Sequence, residues 1–290
     1  MSKNDKVVRN SNYFMIFLAF IIFLLLSFLI SNVIVIQLLG TSTFIFGLYL
    51  VFTLDNRKKR FETIREKLRI QDSKILRVYE LSKQFDDKTK TEIKRRLEDF
   101  LMAQLDYTLQ DIESSGTKLS ELLNYVRNIK PKNSKQKDSL YPMIDTLLEI
   151  RDILKSVSHT VKMKMSSYEW FAFLLLFGIT IFLVYQETNL VSIYSKIIIS
   201  LLLSCFTFFV LIIRQLDTLN WQEQKWIWEP LITLFKELDL TPYIPEAVLS
   251  QRRLNLKDIK NLDSIRVGRF KHPYPDFSEK TIETIGIQKI

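Results

Sequence analysis

From Tyr13 to Leu54 the chain carries no Asp, Glu, Lys or Arg. About 20 apolar residues suffice to cross the hydrocarbon layer of a bilayer, so a run of this length predicts two spans with a reversal between them. The polar patch Gln37, Gly40, Thr41, Ser42 and Thr43 is the expected turn, because a turn at Ser31-Asn32 would leave those groups in lipid. A second run, Tyr168 to Ile213, is interrupted by Gln186, Glu187, Thr188 and Asn189, which predicts spans over Tyr168–Tyr185 and Ile193–Ile213. No small-residue cleavage site follows a short apolar core near the N-terminus, so no signal peptide is expected.

The positions of the basic residues orient these spans. Lys3, Lys6 and Arg9 precede the first, Arg57 to Arg60 follow the second, Lys162 and Lys164 precede the third, and Arg214 follows the fourth. The two hairpin connections carry no Lys or Arg, although Lys196 lies just inside the fourth span. Basic residues stay on the cytoplasmic side, so both termini and the middle region are expected there, or on the equivalent side of an organelle membrane; the plasma (inner) membrane is the expected location. Much of the formal charge of +9 is thereby a topology signal, and nucleic acid is not an expected partner. The lipid bilayer is.

Between the hairpins, Asp55 to Ser167 is highly charged, with basic residues in excess and a single glycine. Apolar residues at three- and four-residue steps, such as Ile150, Ile153, Leu154, Val157 and Val161, form one stripe on a helix. Such stripes read as core between helices or subunits. Gly116 and "KPKNSKQK" (Lys130–Lys137) are the breaks, giving three or four helices. The first continues the second span and the last runs into the third. After Arg214, "LNWQEQKWIWEPLITLFKEL" places Trp221, Trp226 and Trp228 near the membrane exit. With Trp170 these are the expected headgroup-level anchors, and an interfacial helix is the expectation for this stretch. Pro242 and Pro245 suit a turn into a short helix, and His272 to Ile290 shows no periodicity.

Residues for catalysis are scarce. His159 and His272 are the only histidines and neither has metal-ligand spacing to Cys205, the one cysteine. The six glycines form no phosphate-binding loop. Asp86-Asp87 and Glu98-Asp99 lie in helical, lysine-rich surroundings and read as solvated faces. No enzyme, metal or cofactor is expected. Ionisable groups at membrane depth are costly and kept for work, yet the predicted spans hold only Glu169 and Lys196, both near an end. A coupled carrier is not indicated. Transport would need a pore built from several copies.

The stretch "TFIFGLYLVFTLDNRKKRFE" (Thr43–Glu62) resembles the second transmembrane helix of bestrophins, where an aromatic, apolar half passes into an Arg-containing exit. The chain is most similar to the bestrophin-like family of mainly bacterial four-span membrane proteins, distantly similar to bestrophin anion channels. "RRLEDFLMAQLDYTL" (Arg95–Leu109) matches the next family helix, and "LLEIRDILKSVSHTVKMKMSSYEWFAFLLLFG" (Leu147–Gly178) matches the polar helix, link and third span. The likeness fades after "RQLDTLNW" (Arg214–Trp221). It implies a homo-oligomer, a pentamer, passing anions such as chloride through a neck lined by the second helix. By position the neck residues are Gly40, Phe44 and Leu48, at steps of four, with Arg57, Lys58, Lys59 and Arg60 as a basic mouth. Gly40 stands where bestrophins carry a bulky apolar residue, and Leu48 where an aromatic is usual. The acidic calcium clasp has no counterpart, since only Asp217, Glu223 and Glu229 lie near its place.

The expected architecture is all-α: four transmembrane helices and a helical cytoplasmic region formed by extensions of the second and third spans. Its expected segments are a cytoplasmic tail (1–12), a hairpin (13–57), a cytoplasmic region (58–167), a second hairpin (168–213) and a cytoplasmic C-terminal region (214–290). The expected function is a bestrophin-like channel. The alternative is a membrane-anchored signalling or scaffold protein whose cytoplasmic helices bind a partner.

Overall fold

The computed structural model describes residues 32–188, 193–219, 228–246, 264–271 and 279–286. Among the described residues seven α-helices run in the order α1 (Asn32–Ser82), α2 (Asp87–Asp106), α3 (Gly116–Arg127), α4 (Ser134–Lys162), α5 (Ser167–Thr188), α6 (Ile193–Thr218) and α7 (Trp228–Glu237). A 3-10 segment, Leu109–Ser115, joins α2 to α3. Three short strands follow, β1 (Tyr243–Pro245), β2 (Ser264–Arg269) and β3 (Thr281–Gly286). The class is all-α with a small sheet appended. Among the described residues, helical stretches within Gln37–Ser82, Ser134–Val184 and Ser200–Thr218 are long and apolar enough to cross a membrane. The first expected span lies largely outside the described residues.

Two compact units are present: Met1–Leu54 with Ser166–Leu211, and Asp55–Met165 with Ile212–Ile290. In the first, the membrane half of α1 packs with α5 and α6. Its centre is Phe46, fully buried, with ring centroids 5.6 Å from Phe173, 5.6 Å from Phe177 and 5.3 Å from Phe206. Such aromatic clusters add dispersion where lipid removes the hydrophobic drive between helices. The expected turn at Gln37–Thr43 is not there, because these residues are helical. Their polar groups are satisfied within the fold: Thr41 Oγ1 donates to the Gln37 carbonyl at 3.0 Å, and Ser42 Oγ shares a hydrogen bond with Thr180 Oγ1 at 3.0 Å. Back-bonding of this kind lets hydroxyl residues stay inside a membrane helix, so a Ser/Thr cluster does not demand a turn. At the start of α5, Ser166 and Glu169 form a reciprocal capping box: Glu169 N donates to Ser166 Oγ at 3.2 Å and Ser166 N to Glu169 Oε2 at 2.6 Å. Glu169 is thereby a helix cap.

The second unit contains the water-facing core. The later half of α1, α2, α3, α4 and α7 bury one cluster that includes Ile64, Phe100, Leu122, Met143 and Phe235. Of the predicted α4 stripe, Ile150, Leu154, Val157 and Val161 are buried and Ile153 is packed against them. Helix starts follow local chemistry: Asp86 accepts from Thr89 N, and Asn133 accepts from Gln136 N at 2.8 Å. The last turn of "KPKNSKQK" is thus already helix.

α7 corrects the interfacial-helix expectation. Its apolar residues Leu231, Leu234 and Phe235 are buried in the core of this unit, so protein covers the face that would have entered lipid. The C-terminal region also departs from expectation. β1 pairs parallel to β2 (Tyr243↔Arg266), β2 pairs antiparallel to β3 (Val267↔Glu283), and Tyr243–Pro245 is strand where a turn was predicted. The continuation after Glu246 lies outside the described residues. Gly268 is required here, since a Cβ would sit 1.9 Å from Tyr243 Oη. Tyr243 Oη donates to Asp106 Oδ1 at 2.6 Å, and the Lys280 ammonium pairs with the same carboxylate, docking the sheet on α2. Burial pushes the Asp106 pKa up, while Lys280 and Tyr243 pull it back.

Candidate functional site

Within the first unit, the spacing of four in α1 separates two faces. Ser42, Phe46 and Leu50 are buried against α5 and α6. The three expected neck residues share the other face: Gly40 is exposed, Phe44 is 66% exposed and Leu48 43%. Val51 and Phe52 extend this exposed apolar surface toward the end of the span. A Cβ on Gly40 would meet nothing within 4 Å, so packing within the chain does not demand glycine there.

Within the second unit, α1 carries Arg57, Lys58, Lys59 and Arg60, and the structure divides them. Lys58 and Lys59 face solvent, pairing within α1 with Glu62 (3.8 Å) and Asp55 (2.6 Å). The Asp55 carboxylate raises the Lys59 pKa. Arg57 and Arg60 turn inward, which corrects the expectation of a mouth built from all four charges. Arg57 Nη1 donates to Asp217 Oδ1 at 3.0 Å and to the Met163 carbonyl at 3.0 Å. Arg60 is buried and donates to four carbonyls: Thr160 (2.9 Å), Val161, Leu216 (3.4 Å) and Asp217 (3.0 Å).

Those carbonyls belong to the last turns of α4 and α6, where helices leave acceptors without intrahelical donors and the macrodipole is negative. One guanidinium therefore closes two helix ends. Burial lowers the Arg60 pKa below the usual arginine value; Asp217 raises it and Arg57 lowers it further. Asp217 also accepts from Met165 N at 2.8 Å in the link between α4 and α5. A single buried carboxylate thus ties α1, that link and the end of α6. Sequence reasoning missed this role, placing Asp217 only near an absent calcium clasp. The available signal was its isolation: one acid one turn after the closing arginine of an apolar run.

The remaining expected site residues are scattered. Trp170 lies in the first turn of α5, its ring 6.1 Å from Phe173. Trp221 and Trp226 lie outside the described residues, and Trp228 opens α7. His159 is exposed. Away from these, Asp72 on α1 has its pKa raised to about 7, first by burial and then by Glu237 on α7.

Residues 27–219, well over half of the chain, match the family model of the Bestrophin-like domain. Comparison with curated proteins gives no match, and comparison with solved structures gives none either.

Proposed function

The chain belongs to the bestrophin-like family, and from that premise we propose that it is an oligomeric membrane channel that passes anions through a neck lined by α1. Gly40, Phe44 and Leu48 from each copy form the neck, five copies surround it, and both termini lie on the cytoplasmic side of the plasma (inner) membrane. The observation carrying this reading is the exposed apolar face of α1, opposite the face that holds α5 and α6. A ring of such faces excludes water when narrow and conducts when wetted. Lys58 and Lys59 supply the positive mouth, raising local anion concentration over the roughly 8 Å range set by physiological ionic strength. Arg57 and Arg60 hold the helix ends beside it.

The test is chloride flux into liposomes holding the purified protein, paired with an oligomer count. Chloride-selective flux from a multi-copy assembly is expected. A monomer, or protein-containing liposomes no leakier than empty ones, overturns the channel and leaves the anchored-scaffold alternative.

A further inference from the structure

The middle of α1, the α4–α5 link and the last turn of α6 meet at Asp217, and each carries an exposed cation close in sequence to the meeting point. Lys164 is adjacent to Met165, whose N–H donates to Asp217 at 2.8 Å. Arg214 lies three residues before Asp217 on α6 and is exposed. Lys58 follows Arg57, which bonds the same Asp217 oxygen at 3.0 Å. Among the described residues neither the Lys164 ammonium nor the Arg214 guanidinium has an ion-pair partner. Lys58 has only the exposed contact to Glu62 at 3.8 Å, and pairs of that kind hold weakly.

We propose that Lys58, Lys164 and Arg214 form a binding site for the phosphate of an anionic phospholipid at the cytoplasmic headgroup level. Charge supports this. The junction these cations flank holds two guanidiniums, Arg57 and Arg60, paired with one carboxylate, so it adds positive potential. Depth supports it too. Lys58 follows the apolar run that ends at Leu54, Lys164 precedes the run that begins at Tyr168, and Arg214 directly follows Ile213. Long basic side chains at the ends of spans reach the phosphate layer, and an arginine fork with lysines suits a phosphodiester. Met163, exposed beside Lys164, offers apolar surface to the acyl chain. Topology alone would need the charges only on the correct side of the membrane. The bonds from Arg57 and Met165 to Asp217 additionally tie together the backbone positions next to Lys58, Lys164 and Arg214.

The site depends on the chain being a membrane protein and not on conduction, so a failure of the channel reading leaves it standing. Purified protein in neutral detergent is titrated with phosphatidylglycerol, phosphatidylcholine or inorganic phosphate, with native mass spectrometry and thermal stability as readouts. Saturable phosphatidylglycerol binding with a raised melting temperature is expected, and neither other ligand should reproduce it. Neutralising a basic residue near anionic lipid weakens binding about fivefold, so Lys164→Gln with Arg214→Gln should weaken it about 25-fold. Lys137→Gln, an exposed lysine far from the spans in sequence, should change nothing. The unaltered protein should also bind phosphatidylglycerol more weakly as salt rises. Wild-type affinity in the double variant, equal binding of phosphatidylcholine, or salt-independent affinity overturns the proposal. Full substitution by inorganic phosphate overturns the lipid assignment.

Discussion

Replacing Asp217 by Ala tests whether the junction of α1, the α4–α5 link and α6 is held by one buried carboxylate. Asp217 is 4% exposed and takes hydrogen bonds from Arg57 (3.0 Å) and Met165 N (2.8 Å), with Arg60 at 3.9 Å. Its loss leaves two guanidiniums without a counter-charge and one buried N–H without an acceptor. Breaking a buried pair by removing one partner costs about 3–5 kcal/mol. The lower end applies, because Arg57 keeps the Met163 carbonyl and Arg60 keeps its four acceptors. About 3 kcal/mol corresponds to a drop in midpoint of roughly 6–12 °C for a unit of this size. Asp217→Asn retains an acceptor for Met165 N and should lose about 1–2 kcal/mol less. A double-mutant cycle with Arg57→Met, read by heating in detergent and size-exclusion of the surviving folded protein, should give a coupling of about 1–3 kcal/mol. A coupling under about 0.5 kcal/mol, with Asp217→Ala melting like wild type, would show that the carboxylate is not what joins these elements.

Three further expectations follow from other parts of the fold. If α1 lines the neck, Phe44→Ala should raise chloride conductance with little change in selectivity. Gly40→Phe should lower it without loss of thermal stability, since the glycine has open space around it; unchanged conductance in both would remove α1 from the pore. Gly268→Ala drives a methyl into Tyr243 and should cost about 1–3 kcal/mol, exposing the C-terminal region to protease; an unaltered digestion pattern would refute this packing of Tyr243 on β2. Because the folded Asp72 pKa is raised to about 7, the native state holds a proton that the unfolded chain releases near pH 4. Stability should therefore fall as pH rises from about 4 to 7, by up to about 1.4 kcal/mol per unit, and level off above that. Asp72→Asn should flatten this slope, and parallel profiles for the two proteins would count against it.

What the sequence made legible was whatever has a period. The three- and four-step stripe of α4 predicted the buried Ile150, Leu154, Val157 and Val161, and the shared face of Gly40, Phe44 and Leu48 follows from the same geometry. Three features had no period to reveal them. Thr41 and Ser42 looked like a turn because composition does not show that a hydroxyl can bond a carbonyl one turn back or a partner on another helix. The amphipathic α7 looked interfacial because an apolar stripe does not say whether lipid or protein covers it. The sheet was missed because β1 has three residues and β3 is exposed along most of its length, leaving no clear alternation of apolar and polar positions. Arg57 and Arg60 read as a topology signal and part of a basic mouth for a related reason. Their partner lies far along the chain and contributes a single carboxylate.

That distance sets an order of events during synthesis. Arg57 and Asp217 are 160 residues apart, so at about 5–20 residues per second roughly 8–32 s pass before Asp217 has been added to the chain. For much of that interval α1 carries two arginines whose carboxylate partner has not yet been made, and they must remain hydrated or be held by something else. The helix ends they close, those of α4 and α6, are themselves made late. The junction is therefore a late-closing clasp: it cannot form on a nascent chain that stops before α6 is complete. A truncated chain is left with two uncompensated guanidiniums, a physical difference by which unfinished chains can be told from finished ones.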